Sequence, residues 1–196
     1  MNSTLIRFGF APHPTDSYRY FVGNGTKHFV RCVLPENHLN EQTINKYITA
    51  MQDEYSRRWP DNTKPYPGVP ELLSALEKLN IPKAILSNKP DCFTQVMVEK
   101  LLADFSFRIV RGTEPSLPPK PNPLGALEIA KKLEIPPEDF LYVGDTNTDM
   151  KTACSARMYP VGVLWGFRDA DELLANGAKI LVEKPEEILT ILDNGK

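Results

Sequence analysis

Two carboxylates stand four positions apart after an apolar run in LYVGDTNTDM, residues 141–150. Asp145 follows the run directly, and Asp149 comes one helical turn later if a helix begins at Thr148. Two negative charges held close together need a balancing positive charge. A divalent cation such as Mg²⁺ binds through one or two carboxylates and keeps several waters. The spacing therefore indicates that Asp145 and Asp149 hold Mg²⁺, although an aspartate at a helix start is also often just a cap.

A second group of polar residues suits an anion. Ser87 and Asn88 follow the apolar run KAIL, and Lys120 stands in the proline-rich loop PSLPPKPNP. A hydroxyl and backbone N–H groups, where a strand leads into a helix, can bind phosphate oxygens, and a lysine adds a positive point charge. We expect Ser87, Asn88 and Lys120 to bind phosphate, with Ser87 and Lys120 as catalytic residues. Taken singly, each also fits an ordinary turn or a solvated loop.

The elements that would position these residues alternate between helix and strand from about residue 66 onward. The predicted helices are Val69–Leu79, Asp91–Leu102, Pro121–Leu133, Thr148–Ala156, Ala170–Ala175 and Glu186–Leu192. The predicted strands are Lys83–Ser87, Phe107–Val110, Phe140–Val143, Pro160–Trp165 and Ile180–Val182. This alternation predicts an α/β fold with a three-layer, Rossmann-like parallel sheet core. Ligands bind beyond the carboxyl ends of the strands in such folds.

The first 65 residues follow a different pattern, because they contain no convincing strand. Asn40–Arg58 has helical apolar spacing, and the stretch FVGNGTKHF predicts a glycine turn before another short helix. The proline-rich stretch WPDNTKPYPGVP then reads as a linker. We therefore predict two domains, a small all-helical module at residues 1–65 and an α/β core at residues 66–196.

Composition excludes several classes of protein. The net charge is −2, which gives no electrostatic basis for binding nucleic acid or an anionic membrane. The three cysteines are scattered and lack C-x-x-C spacing, as expected for free thiols in a reducing compartment. No apolar stretch is long enough to span a bilayer, and no signal peptide is recognisable. We expect a cytoplasmic monomer or homodimer.

The order of ILSNK, PPKPNP and VGDTNTDM resembles the second, third and fourth motifs of the haloacid dehalogenase-like (HAD) hydrolases, and within them the phosphoglycolate phosphatase group most closely. The beginning of the chain resembles the helical cap of that group, with residues 1–10 as a remnant of the first core helix. The resemblance implies a Mg²⁺-dependent phosphatase for a small phosphomonoester, 2-phosphoglycolate. Asp145 would be the direct metal ligand, and Asp149 would support it directly or through water. Ser87 and Asn88 would bind the phosphoryl group, whose charge Lys120 would stabilise.

One family motif is not found, an apolar strand ending in D-x-D-G-T. In the family its first aspartate attacks phosphorus and forms an aspartyl-phosphate, and its second acts as general acid and base. The D-x-D of this chain is Asp169-Ala170-Asp171, at a predicted helix start. The resemblance also implies that the first central strand of the sheet is absent. We expect the 196-residue chain to be inactive, and a downstream start or a gene fragment to explain this better than a specialised pseudoenzyme.

Other interpretations remain open. The chain could be a non-catalytic protein that keeps phosphate and Mg²⁺ binding, or a phosphatase for another small ester. A phospho-receiver module is disfavoured, because the helical module has no place in it. Gly23, Asn24 and Lys27 could form a specificity loop or a plain glycine turn. Arg157 stands where the family commonly has glycine, which leaves the end of that helix uncertain.

Overall fold

A computed structural model describes residues 1–193 and 195, which fall into two compact units, Met1–Lys64 and Pro65–Lys196. The first unit is helical, and its α-helices are α1 (Asn2–Arg7), α2 (Tyr18–Phe21), α3 (Thr26–Val33) and α4 (Glu41–Arg58). The predicted glycine turn and both predicted helices are therefore confirmed. Asn40 caps α4, because its side-chain oxygen accepts a hydrogen bond of 2.9 Å from the Thr43 N–H. The buried core of this unit consists of Leu5, Val30, Val33, Leu34, Ile44 and Tyr47.

The second unit alternates helices and strands as predicted. Its helices are α5 (Val69–Lys78), α6 (Asp91–Leu101), α7 (Leu124–Leu133), α8 (Asn147–Ala156), α9 (Ala170–Ala175) and α10 (Glu187–Asp193). Its strands are β1 (Ala84–Pro90), β2 (Ile109–Thr113), β3 (Leu141–Gly144), β4 (Tyr159–Val163) and β5 (Ile180–Val182). The predicted start of α7 at Pro121 is wrong. Asn122 precedes Pro123, and a residue before proline is sterically pushed away from helical geometry, so the helix begins at Leu124.

The strands pair in parallel, which confirms the α/β fold class, but the described residues form two sheets instead of one. One sheet pairs β1 with β2, and the other has the order β3-β4-β5. Within the described residues, β1 and β3 thus each pair along one edge only. Val143 of β3 is 42% exposed and β1 has no fully buried residue, whereas four of the five β4 residues are buried. Strands of parallel sheets are usually buried on both faces, so these two strands are unusually open.

Two apolar clusters hold the second unit together. One joins β4 and β5 to α5 and α10 through Leu72, Val161, Val163, Val182, Ile188 and Ile191. The other packs α7 against α8, with Leu86 of β1 and Tyr142 of β3 against it. This second cluster brings the carboxyl ends of β1 and β3, where the predicted site residues lie, into one neighbourhood. Among the described residues, no helix has the length and apolar character needed to cross a bilayer.

Candidate active site

A buried ion pair joins two of the predicted site residues. The Lys120 Nζ donates hydrogen bonds to Asp149 Oδ1 at 2.6 Å and to the Leu86 carbonyl oxygen at 3.0 Å. The Lys120 and Asp149 side chains are only 13% and 9% exposed. Burial opposes the charge on Lys120, but the nearby acidic groups, Asp149 foremost, together outweigh it and raise the pKa of Lys120. The ammonium group is therefore held in place and charged at neutral pH.

Asp149 also helps to cap the start of helix α8. Its Oδ2 accepts hydrogen bonds from the Thr146 hydroxyl at 2.6 Å and from the Thr146 N–H at 3.2 Å. The Thr146 hydroxyl oxygen in turn accepts one from the Asp149 N–H, which completes a capping box. Gly144 allows this close packing, because a Cβ there would lie 2.6 Å from Asp149 Cγ. Both oxygens of Asp149 are thus engaged, one with Lys120 and one with the helix cap.

Asp145 lies directly after β3 and is held by the loop that follows β4. Its Oδ2 accepts a 2.9 Å hydrogen bond from the Phe167 N–H, and its carbonyl oxygen accepts one of 3.2 Å from the Arg168 N–H. Gly166 permits this approach, since a Cβ there would stand 2.6 Å from Asp145 Cγ. Burial raises the pKa of Asp145, the charge of Asp149 adds to the shift, and the Phe167 N–H opposes it. A cation beside Asp145 would relieve this excess of negative charge.

Ser87, Asn88 and Lys120 line one cleft at the carboxyl ends of β1 and β2. The Ser87 Oγ accepts a 3.1 Å hydrogen bond from the Lys89 N–H, which orients the hydroxyl oxygen in the second half of β1, where the register with β2 shifts. The Asn88 side chain pairs with the main chain of Lys120 on both sides: its Nδ2 donates to the Lys120 carbonyl oxygen at 2.9 Å, and its Oδ1 accepts from the Lys120 N–H at 2.8 Å. The residues predicted to bind phosphate are therefore brought together, with Asn88 in contact with Lys120.

The oxygen donors of this region fit Mg²⁺, which takes few protein ligands and keeps its waters. In the part of the chain that the structure describes, no group of three or more His, Cys, Asp or Glu side chains could hold a metal ion. Of the two predicted metal ligands, the Asp145 carboxylate accepts from the Phe167 N–H, whereas that of Asp149 contacts both Lys120 and Thr146. The arrangement thus suits a metal held by one protein carboxylate and completed by water and phosphate oxygens.

Several residues of the site were not singled out from the sequence. The Thr146–Asp149 capping box has a recognisable T-x-x-D spacing and could have been predicted. Gly166 and Phe167 carry no such signal, because they lie far from Asp145 along the chain. The Tyr142 hydroxyl, near Lys120, is buried without a hydrogen-bond partner among the described residues. Burial raises the pKa of Tyr142 to about 12, with the charge of Lys120 acting in the opposite direction.

The other candidate residues of the sequence lie in ordinary structural contacts. Asp169 caps α9, since its side chain accepts from the Glu172 N–H at 2.9 Å. The Lys27 Nζ donates to Glu41 at 2.7 Å, and Gly23 has a positive φ of 116°. The turn is confirmed, whereas a role in specificity for Gly23, Asn24 or Lys27 stays a prediction.

Arg157 ends α8 in the left-handed region, with φ 60° and ψ 26°. Glycine adopts this conformation without steric strain, and a side chain raises its free energy. The unusual arginine therefore leaves the helix ending in the geometry that a glycine would form.

Comparison with known proteins gives a family match over most of the chain. A family model described as haloacid dehalogenase-like hydrolase matches residues 1–163. Phosphoglycolate phosphatase 1 of Pseudomonas aeruginosa is 24% identical over 196 residues, which cover 98% of this chain and 72% of that protein. The phosphoglycolate phosphatase of Xylella fastidiosa strain Temecula1 is 29% identical over 185 residues, covering 94% of this chain and 80% of that protein.

Solved structures share the fold. A protein of Lactobacillus delbrueckii subsp. bulgaricus, provisionally assigned as a phosphoglycolate phosphatase, superposes with a TM-score of 0.88 and 25% identity, covering 97% of this chain and 88% of that one. A haloacid dehalogenase-like hydrolase of Streptococcus pneumoniae gives a TM-score of 0.79 at 22% identity, covering 96% of this chain and 86% of that one. The second similarity supports the fold alone.

Proposed function

The chain belongs to the haloacid dehalogenase-like hydrolases, and from this membership we propose that its site binds a small phosphate monoester with Mg²⁺, 2-phosphoglycolate being the preferred substrate. The observation that carries the proposal is the buried ammonium of Lys120, 2.6 Å from Asp149, on the cleft that Ser87 also lines. A fixed positive charge beside a hydroxyl donor is the arrangement that a phosphate dianion requires. The names of the related phosphatases support the choice of ester.

Each residue then has a distinct role. The Ser87 hydroxyl donates to a phosphate oxygen, since its own oxygen is already oriented by the Lys89 N–H. The Lys120 ammonium balances the charge of the phosphate. Asn88 belongs with Ser87 and Lys120 to the residues of the phosphate site. Asp145 is the direct metal ligand, while Asp149 supports the metal side indirectly by holding Lys120 and the start of α8. Mg²⁺, when bound, neutralises phosphate charge and orients the ester.

We further propose that the 196-residue chain binds the ester without hydrolysing it. Hydrolysis in the family needs the aspartates of D-x-D-G-T, which these residues do not include. The Asp169–Asp171 pair does not replace them, because Asp169 is engaged in capping α9. In this proposal residues 1–65 are the cap module, residues 66–196 the core, and the protein acts in the cytoplasm. A non-catalytic protein that binds phosphate and Mg²⁺ through Ser87, Lys120 and Asp145 is the second candidate.

Calorimetric titration with 2-phosphoglycolate and Mg²⁺ tests the binding proposal. We expect saturable binding that Lys120→Gln weakens at least about tenfold, because the phosphate then loses the charge-assisted contact with the ammonium group. Glutamine keeps a hydrogen-bond donor for Leu86 and Asp149 but breaks the buried ion pair, so urea unfolding of the variant must show that it is folded before its affinity is compared. The matched control is Lys131→Ala, which removes an exposed lysine from α7. Absence of binding, or equal affinity of Lys120→Gln and the parent, would refute the proposal.

Phosphate release from 2-phosphoglycolate tests the catalytic part. We expect none from the 196-residue chain and Mg²⁺-dependent turnover once an apolar strand ending in D-x-D-G-T, with its turn and helix, is added before Met1. Robust turnover by the 196-residue chain would contradict this expectation. Binding without turnover by the extended protein would instead favour the non-catalytic role.

A further inference from the structure

The Asn88 carboxamide spans the space between the end of β1 and the loop that carries Lys120. It makes a two-point contact, because Nδ2 donates to the Lys120 carbonyl oxygen at 2.9 Å and Oδ1 accepts from the Lys120 N–H at 2.8 Å. The primary amide thus uses both its donor and its acceptor on the same residue, Lys120. Two parallel hydrogen bonds fix both the position and the rotation of the Lys120 main chain.

The orientation of the Lys120 main chain matters because the side-chain ammonium must contact two acceptors at once. Its Nζ must reach both the Leu86 carbonyl oxygen at 3.0 Å and Asp149 Oδ1 at 2.6 Å from a loop that contributes no strand or helix of its own. A lysine side chain has many rotamers, so the direction of its Cα–Cβ bond decides whether the ammonium arrives there. The contact from Asn88 sets that direction, and it comes from the residue next to Ser87.

We propose that Asn88 is a positioning residue, which strengthens phosphate binding by holding the Lys120 main chain and not by a side-chain contact with the phosphate. The inference rests on the proposed role of Lys120. It refines the expectation from the sequence, in which Asn88 bound phosphate alongside Ser87. The sequence around Asn88 could not distinguish the two roles, because Lys120, the residue that Asn88 contacts, lies 32 positions away along the chain.

A double-mutant cycle separates the two roles, with inorganic phosphate at constant Mg²⁺ as the probe and NMR titration as the measurement. Asn88→Ala should weaken phosphate binding about three- to tenfold in the parent protein. In a Lys120→Gln background the same substitution should change affinity less than about twofold, because Asn88 then has no ammonium to position. A side chain that contacts phosphate itself would instead give the same loss in both backgrounds.

The control is Asn122→Ala, in the same loop and on the same cleft. The Asn122 Oδ1 accepts a 2.9 Å hydrogen bond from the N–H of Leu124, the first residue of α7, so its loss should affect stability but leave phosphate affinity nearly unchanged. If Asn122→Ala weakens binding as much as Asn88→Ala, general loosening of the loop explains the effect and the proposal is overturned. A parent-like affinity of Asn88→Ala overturns it as well.

Failure of the inference can be told apart from failure of the proposed function. If Lys120→Gln binds phosphate like the parent, the proposed function fails. If Lys120→Gln weakens binding but Asn88→Ala has equal effects in both backgrounds, only the inference fails. Should Lys120→Gln not fold, amide exchange of Lys120 in ¹⁵N-lysine-labelled protein decides. The exchange rate should rise at least tenfold in Asn88→Ala and stay unchanged in Asn122→Ala, whereas an unchanged rate in Asn88→Ala overturns the inference.

Discussion

Asp149→Asn should destabilise the second unit strongly, although aspartate and asparagine side chains have nearly the same shape. The substitution removes the charge that lies 2.6 Å from Lys120 Nζ, while the new carboxamide oxygen can still accept from Thr146. Lys120 then remains as a buried ammonium with the Leu86 carbonyl oxygen as its neutral acceptor. Breaking a buried ion pair in this way costs about 3–5 kcal/mol. For a chain of this length, that corresponds to a fall of about 6–20 °C in Tm.

The cost of Asp149→Asn should depend on pH, because it depends on the charge of Lys120. In the parent the pKa of Lys120 lies above its ordinary 10.5, so the stability from the pair is present below that value and lost as pH rises through the raised pKa. In Asp149→Asn burial is no longer outweighed, and the pKa of Lys120 should fall below 10.5. The cost of the variant is then fully present at neutral pH and disappears as the lysine loses its proton.

Urea unfolding at pH 7 and pH 10 measures both effects. The difference between Asp149→Asn and the parent should shrink at the higher pH. Asp53→Asn is the control, because Asp53 pairs with Arg57 at 2.9 Å on the surface of α4 and both side chains are more than half exposed. An exposed pair of this kind contributes about 0.3–0.5 kcal/mol. A loss below about 1 kcal/mol for Asp149→Asn, or one independent of pH, would refute the reasoning.

Two further substitutions should stabilise the protein. Asp145→Asn should raise the free energy of unfolding at pH 7, because burial raises the pKa of Asp145 and the folded state disfavours its charge. The cost of burying the Asp145 charge is present above the raised pKa and absent below the ordinary 3.8. The gain of Asp145→Asn in urea unfolding should therefore vanish below pH 3.8. The control Asp104→Asn, at an exposed aspartate, should show no gain. A gain that persists below pH 3.8 would contradict this cause. Arg157→Gly should add about 0.5–1 kcal/mol, since its φ of 60° strains any side chain. The control is Lys132→Gly, within α7, which should cost about 1 kcal/mol in thermal unfolding. A similar loss for Arg157→Gly would show that the left-handed conformation at Arg157 is not strained.

The local elements followed closely from the sequence. Apolar periodicity predicted the helices and strands of the core, and their ends differ from the structure by at most three residues. The prediction of α7 is wrong at its start, because a proline is favoured at the first helical position and indicated Pro121, whereas Asn122 before Pro123 disfavours helix. Periodicity did not predict the pairing into two sheets, because it reports only which faces are buried; the pairing instead agrees with the family resemblance, which implied that the central strand is absent.

The sequence by itself determined which chemistry this protein could carry. The types and order of Ser87, Lys120 and Asp145 indicated a phosphate and metal site, because hydroxyl, ammonium and carboxylate groups at strand ends suit those ligands. Only the tertiary structure decided how these groups are supported. Asn88 contacts the Lys120 main chain and Phe167 contacts Asp145 across 32 and 22 positions of the chain. Such contacts exist only once the strands and loops are packed together, and no local spacing records them.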